Sequence, residues 1–332
     1  MARDGGTLIL ALVAIAFRAT AALAADGKTD VLDPKALPLG DGRVSAKPEI
    51  GAVWSCQQQF PRNAPGAQVD GPWIHGKTWD LTQKLGVQGK VTWPNAQFSI
   101  RVLDNGRIVT RSLAGNGLPV GTPTGTFPIS RDDPAFQIDR NPNSIRPQQV
   151  TLTLPRMPQI TGRPSCVPMG MIGVALNGVA IFNALDAGGR DAVAHEVQDL
   201  CSGHPEAQGA YHYHGPSPCL PGQTGNAVLI GYALDGFGIF SIYDAKGREL
   251  TNADLDTCHG RTAEVEWDGK PTEIYHYVLT REYPYTLGCF RGTPAAFQRQ
   301  GPPGGGPGGP GGPGGPAGPG GPAGPGGFPP RP

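Results

Sequence analysis

The chain has 332 residues, and its 27 Lys and Arg balance 27 Asp and Glu in a sequence only 16% charged. That balance argues against the basic face of a nucleic-acid-binding domain and against highly charged disorder. A hydrophobic share of 38% is enough for one sizeable core, while 51 Gly and 36 Pro disfavour long helices and favour a turn-rich, mainly β body.

Residues 7–17, TLILALVAIAF, form an apolar run preceded by Arg3 and followed by Ala22-Leu23-Ala24. A basic start, a short apolar stretch and a small-x-small site are the parts of a secretory signal peptide. Residues 1–24 are therefore read as a signal peptide, with the mature chain starting near Ala25. Arg18 keeps the run below the ~20 apolar residues of a membrane span, and no later segment is long and apolar enough. The mature protein is expected to be exported, to the periplasm or the extracellular space, without a transmembrane span. Its six cysteines, Cys56, Cys166, Cys201, Cys219, Cys258 and Cys289, are an even number with no C-x-x-C, which in that compartment points to disulfides.

Residues 25–90 are Pro-rich and irregular, and no elements are assigned to them. From 91 to 110 and from 149 to 154 apolar and polar residues alternate, as in Phe98-Ser99-Ile100-Arg101-Val102, the pattern of half-buried strands. Asp104-Asn105-Gly106 marks a hairpin turn. A tandem repeat follows. Residues 172–190, IGVALNGVAIFNALDAGGR, match 230–248, IGYALDGFGIFSIYDAKGR, at 11 of 19 positions with a constant offset of 58. Downstream, DLCSGH at 199–204 aligns with DTCHGR at 256–261, Tyr211-His212-Tyr213-His214 with Tyr275-His276-Tyr277-Val278, and Cys219 with Cys289.

Asn177-Gly178 and Asp235-Gly236, flanked by apolar residues, are hairpin signals. The expected fold is thus mainly β and antiparallel, hairpin-rich, with few short helices and an internal two-fold repeat (172–219 and 230–289) inside a domain spanning 91–299. Repeat symmetry pairs Cys201 with Cys219 and Cys258 with Cys289, leaving Cys56 for Cys166. From 300 to 332 the chain is Gly/Pro-rich, with glycine at every third position from Gly306 to Gly327. The triplets are too few and too poor in imino acids for collagen, so a disordered tail is expected.

Five of the seven histidines lie between 195 and 259. On a strand, His212 and His214 share one face and Tyr211 and Tyr213 the other. A Cys201–Cys219 bridge would bring residues 194–204 against that strand, so that His204, His212, His214 and one carboxylate, Glu196 or Asp199, make a candidate metal site. Imidazoles suit copper and zinc among other transition metals. Because ligating imidazoles must be neutral, affinity is expected to fall as pH drops through about 6.5. In the second repeat His214 becomes Val278, His204 becomes Arg261 and Glu196 becomes Ala253, which leaves His276 alone and makes that copy the scaffold. Asp199 and Asp256 occur in both copies and are read as turn-capping residues.

The run 199–219, DLCSGHPEAQGAYHYHGPSPC, together with GYALDGF and PYTLGCFRG further on, resembles the bacterial YHYH-domain family over residues 91–292. The resemblance implies an exported domain defined by its motif and assigns no particular activity. The family pattern places a histidine shortly after an Asn-Gly-x-Pro turn; here Asn116-Gly117-Leu118-Pro119 is followed by Val120-Gly121.

Two other readings stand beside metal binding. TPTGTF at 122–127 and TLGCFR at 286–291 resemble motifs of the L,D-transpeptidases, which would make Cys289 a nucleophile for acyl transfer and His276 its base. The third reading is a structural or interaction protein of the cell envelope, with a partner there and no metal.

Overall fold

Of the 332 residues, the computed structural model describes 32–296 together with Met1; the rest of the expected signal peptide at 1–24 and the tail at 300–332 lie outside the described residues. From 32 to 90 the backbone runs as loops pinned by two-residue strands: β1 (Leu37–Pro38), β2 (Val44–Ser45), β3 (Val53–Trp54), β4 (Ile74–His75) and β5 (Thr78–Trp79). This stretch has no periodicity, yet it packs into the core. Leu37, Trp73 and Trp79 are buried. Trp73 Nε1 donates to Ala194 O at 2.8 Å, and Gly40 N–H donates to the Asp191 carboxylate at 2.9 Å.

Strands β6 (Phe98–Asp104), β7 (Val109–Gly115) and β8 (Val150–Pro155) form an antiparallel sheet in that order. Asp104 and Asn105 hold the β6–β7 turn by accepting the N–H groups of Gly106, Arg107 and Ile108 at 2.8–3.0 Å. The alternation expected here holds on β8, where Val150, Leu152 and Leu154 are buried. It fails on β6, which is exposed from Ser99 to Asp104. Both faces of β6 are open to solvent beyond Phe98, whereas β8, the other edge of the same sheet, has one face buried.

The repeats build one eight-stranded sheet. The first supplies β9 (Met171–Ala175), β10 (Ala180–Phe182), the single-turn helix α1 (Ala192–His195), β11 (Gly203–Pro205) and β12 (Tyr211–Tyr213). The second supplies β13 (Leu229–Ala233), β14 (Gly238–Phe240), β15 (Gly260–Trp267) and β16 (Lys270–Val278). Strand order is β11-β12-β10-β9-β13-β14-β16-β15, a palindrome of the two units. The centre pairs Gly173 with Ala233, Val174 with Tyr232 and Ala175 with Gly231. Val174 and Tyr232 differ by the repeat offset of 58, so the pseudo-twofold axis passes between them. Each unit also contains one parallel pair, Ile181 opposite Tyr213 and Ile239 opposite Tyr277. The Tyr-His-Tyr strand follows β11 or β15 in an antiparallel hairpin, and a crossover lays that hairpin parallel against β10 or β14.

The Asn-Gly and Asp-Gly turns close β9–β10 and β13–β14. Gly178 and Gly236 carry φ values of 87° and 89°, while Asn177 and Asp235 stay out of the left-handed region. Each glycine N–H bonds back three residues, to Ala175 O and Ala233 O. This is a type I turn followed by a left-handed glycine. A Cβ on Gly178 would lie 2.8 Å from Phe98 and one on Gly236 2.7 Å from Pro155, so both hairpin tips abut the three-stranded sheet.

Three disulfides staple the fold: Cys56–Cys166, Cys201–Cys219 and Cys258–Cys289. Two follow the repeat symmetry, and the third ties the N-terminal loops to the segment entering β9. Among the described residues no helix is long and apolar enough to cross a membrane.

Candidate metal centre

Position in the ladder brings the histidines together. His204 on β11 stands directly opposite His212 on β12, and His214 follows two residues later on the same face. The imidazole centroids lie 4.6 Å (His204–His212), 4.7 Å (His212–His214) and 5.4 Å (His204–His214) apart. Tyr211 and Tyr213 face the other way and pack on each other at 5.7 Å. Glu196 is the C-terminal cap of α1. Its Oε2 lies 3.4 Å from His204 Nε2 and 3.4 Å from His214 Nε2.

Asp199 is not in this group. Its carboxylate accepts the N–H groups of Gly125, Cys201 and Gly203 and the Tyr211 hydroxyl, at 2.7–3.2 Å. Asp256 repeats most of that pattern with Cys258, Gly260 and Tyr275. Both cap the turn before the β11 or β15 strand, which leaves Glu196 as the carboxylate of the cluster.

Backbone carbonyls fix two of the tautomers. His212 Nδ1 donates to Ala210 O at 3.0 Å, and His214 Nδ1 donates to Asn183 O at 2.5 Å. A carbonyl only accepts, so both protons sit on Nδ1. The two Nε2 atoms then face each other 3.0 Å apart, each presenting a lone pair. Phe182 stacks on His212 at 3.9 Å and holds its plane. Asn141 packs beside His204, with Nδ2 3.5 Å from Nδ1, and is itself anchored to Pro205 O at 3.0 Å.

His204 Nε2 and Glu196 Oε2 are buried with no hydrogen-bond partner of good geometry. Such orphaned groups are costly unless something completes them. Donors about 2.0–2.1 Å from a tetrahedral metal stand roughly 3.3 Å from one another, close to the 3.0–3.4 Å spacings here. The ligand atoms of His204, His212 and His214 all lie within 4.8 Å of one another, a triad that could hold a metal ion.

Burial sets the protonation of the cluster. It pushes His214 down to about 4 and His204 well below the usual imidazole range, with His214 adding to the effect on His204. Glu196 is raised well above the ordinary carboxylate range, first by burial and then by Asp186 and Asp139. The pH near 6.5 expected from free histidine therefore does not apply to His204 or His214. The site opens onto a cleft of about 610 Å³, lined also by Met169, Phe182, Asn141 and Asp186.

The second repeat keeps the frame without the donors. His276 Nδ1 donates to Ile274 O at 3.0 Å and its ring packs on Phe240, as His212 does on Ala210 and Phe182. Arg261 stands opposite His276 where His204 stands opposite His212. The transpeptidase reading fails at its nucleophile. Cys289 is bonded to Cys258, no described cysteine is free, and acyl transfer needs a thiolate. The 122–127 stretch is structural: Thr124 pairs with Val91, and Gly125 packs against Asp199 and Val87 where a Cβ would come within 2.8 Å.

The residues missed from sequence are those acting through their backbone or from a distance: Ala210 and Asn183 by their carbonyls, Phe182 by its face, Asn141 across the loop. Asn183 had a faint signal, since it aligns with Ser241 in the copy that lacks the cluster.

Residues 151–252 match the model of the family described as YHYH protein. The match runs from β8 through the whole first repeat and ends within the second. No curated protein and no solved structure matches the chain.

Proposed function

The chain carries a YHYH domain over residues 151–252, and from that premise we propose that it is an exported, disulfide-stapled protein binding a transition metal, copper or zinc, through His204, His212, His214 and Glu196. The observation that carries the proposal is the convergence of His212 Nε2 and His214 Nε2 at 3.0 Å, with His204 Nε2 and Glu196 Oε2 buried and unsatisfied beside them. With no ion, two lone pairs oppose each other and two polar atoms lack partners. One cation resolves all four, and its attraction drives the Glu196 proton off.

Three neutral imidazoles and one carboxylate match the donor preferences of zinc and of copper. The Ala210 and Asn183 carbonyls would then act as outer-shell partners that orient the ligating rings. Export agrees with the signal-like N-terminus and the three disulfides. The test is metal titration of the parent, His214→Ala and Tyr213→Phe. His214→Ala should abolish high-affinity binding, and Tyr213→Phe should retain it. Unchanged affinity in a folded His214→Ala protein would show that the cluster is structural.

A further inference from the structure

The hydrogen bonds behind the cluster lead to the one disulfide that lies outside the repeat pattern. Asn183, whose carbonyl accepts from His214 Nδ1, is held by the segment that enters β9. Its Nδ2 donates to Pro168 O at 2.7 Å and to Met169 Sδ at 3.7 Å, and its N–H donates to Gly170 O at 3.2 Å. That segment starts at Cys166, which is bonded to Cys56 beside the Ser55–Val167 bridge. Met169 lines the metal cleft, and with Cys56 and Cys166 it also lines a second cleft of about 500 Å³.

The second repeat makes two of these bonds with no staple. Ser241 Oγ donates to Asn226 O at 2.6 Å and Ser241 N–H to Val228 O at 2.8 Å, each residue 58 positions beyond its counterpart. The fold of the unit therefore does not need the disulfide, which is attached to the copy that carries the histidines. Its access to solvent differs as well. Cys56 is exposed and Cys166 half-buried, whereas each of the other two disulfides has at least one buried cysteine.

We infer that Cys56–Cys166 is a thiol-exchange site, and that its reduction by a dithiol loosens the metal held by the histidine cluster. This rests on the metal reading above. A thiolate of the dithiol attacks the exposed Cys56 sulfur, and Cys166 leaves as the thiolate. The second thiol then closes the reductant into its own disulfide and frees Cys56. Two electrons and two protons pass from the dithiol to the cysteine pair. The 166–170 segment is then held by hydrogen bonds alone, and the Asn183 carbonyl orients the His214 ring less firmly. Outer-shell partners of this kind are worth about 10–100-fold in metal affinity.

The experiment starts from the full-length exported protein. Graded dithiothreitol, then iodoacetamide and peptide mapping, should label Cys56 and Cys166 before any other cysteine. Protein alkylated at that stage, freed of reagents and loaded with zinc, should lose zinc to excess EDTA at least about fivefold faster than the parent, with its far-ultraviolet dichroism unchanged. Cys56→Ser/Cys166→Ser should match it. Asn183→Ala, which removes the side-chain bonds to Pro168 and Met169, should release zinc faster with the disulfide intact and gain less on reduction than the parent does. If another disulfide opens first, if release rises by less than that factor, if Asn183→Ala responds to reduction as fully as the parent, or if loss of this disulfide unfolds the chain, the inference is overturned and the metal reading is untouched. If the parent takes up no zinc, the metal reading fails and the inference falls with it.

Discussion

Replacing Glu196 by glutamine should change how metal affinity depends on pH. In the metal-free protein burial keeps His214 neutral down to about 4 and holds His204 well below the usual imidazole range, while Glu196 retains its proton above the ordinary carboxylate range. A metal ion must therefore expel the Glu196 proton. Below the raised pKa of that group, each unit of falling pH lowers affinity about tenfold, or about 1.4 kcal/mol. Protonation of His214 adds to this only near pH 4. Glutamine keeps the size and an oxygen donor but has no proton to expel, so its affinity should be flat with pH until the histidines titrate. It should also be weaker by at least about tenfold, since even outer-shell partners of ligands are worth about 10–100-fold. Calorimetry of zinc binding in buffers of different ionisation enthalpy counts the protons directly. The parent should release about one proton per zinc and the variant none. Equal release by both proteins, rising as pH falls through about 6.5, would refute the reasoning, because it would mean that the imidazoles carry the proton.

Three further outcomes are expected. Asp199→Ala should lower stability by about 3 kcal/mol or more, because three backbone N–H groups and the Tyr211 hydroxyl lose their acceptor; urea denaturation measures it, and a loss under about 1 kcal/mol would contradict the capping role. The metal-free protein should weaken in acid: burial holds His259 down to about 3 and His276 to about 4. Depressed pKa values give stability that is present above about 6.5 and lost as pH falls through the folded values, on the order of 3 kcal/mol per group. Urea midpoints that do not fall between pH 7 and 4 would count against it. His276→Ala should leave metal affinity near the parent value, since Val278 and Arg261 supply no partner imidazoles; a loss comparable to that of His214→Ala would place metal binding in the second repeat.

Much of this architecture was legible because the sequence states it twice. The offset of 58 located both hairpins, and the same offset reappears as the central Val174–Tyr232 pair. The period of two placed His212 and His214 on one face, and the repeat alignment separated Asp199, present in both copies, from Glu196, present in one. What stayed hidden has a physical reason. The parallel pairing of β12 with β10 is a long-range contact that leaves no local pattern. The loops between 32 and 90 are held by single side chains such as Trp73 and Asp41, the latter 2.8 Å from His195, and not by periodic burial. On β6 the alternation of Ile100 and Val102 signalled a covered face, but nothing packs over either face of the strand beyond Phe98. The shifted titration of the histidines depends on burial, which a list of residue types does not contain.

The central claim is that the first-repeat cluster holds a transition metal, and elemental analysis of the untagged protein, purified after native export, tests it most directly. The account predicts copper or zinc at close to one ion per chain, lost in a folded His212→Ala/His214→Ala double variant. A folded parent with no bound transition metal, and none retained after incubation with copper or zinc, would contradict it.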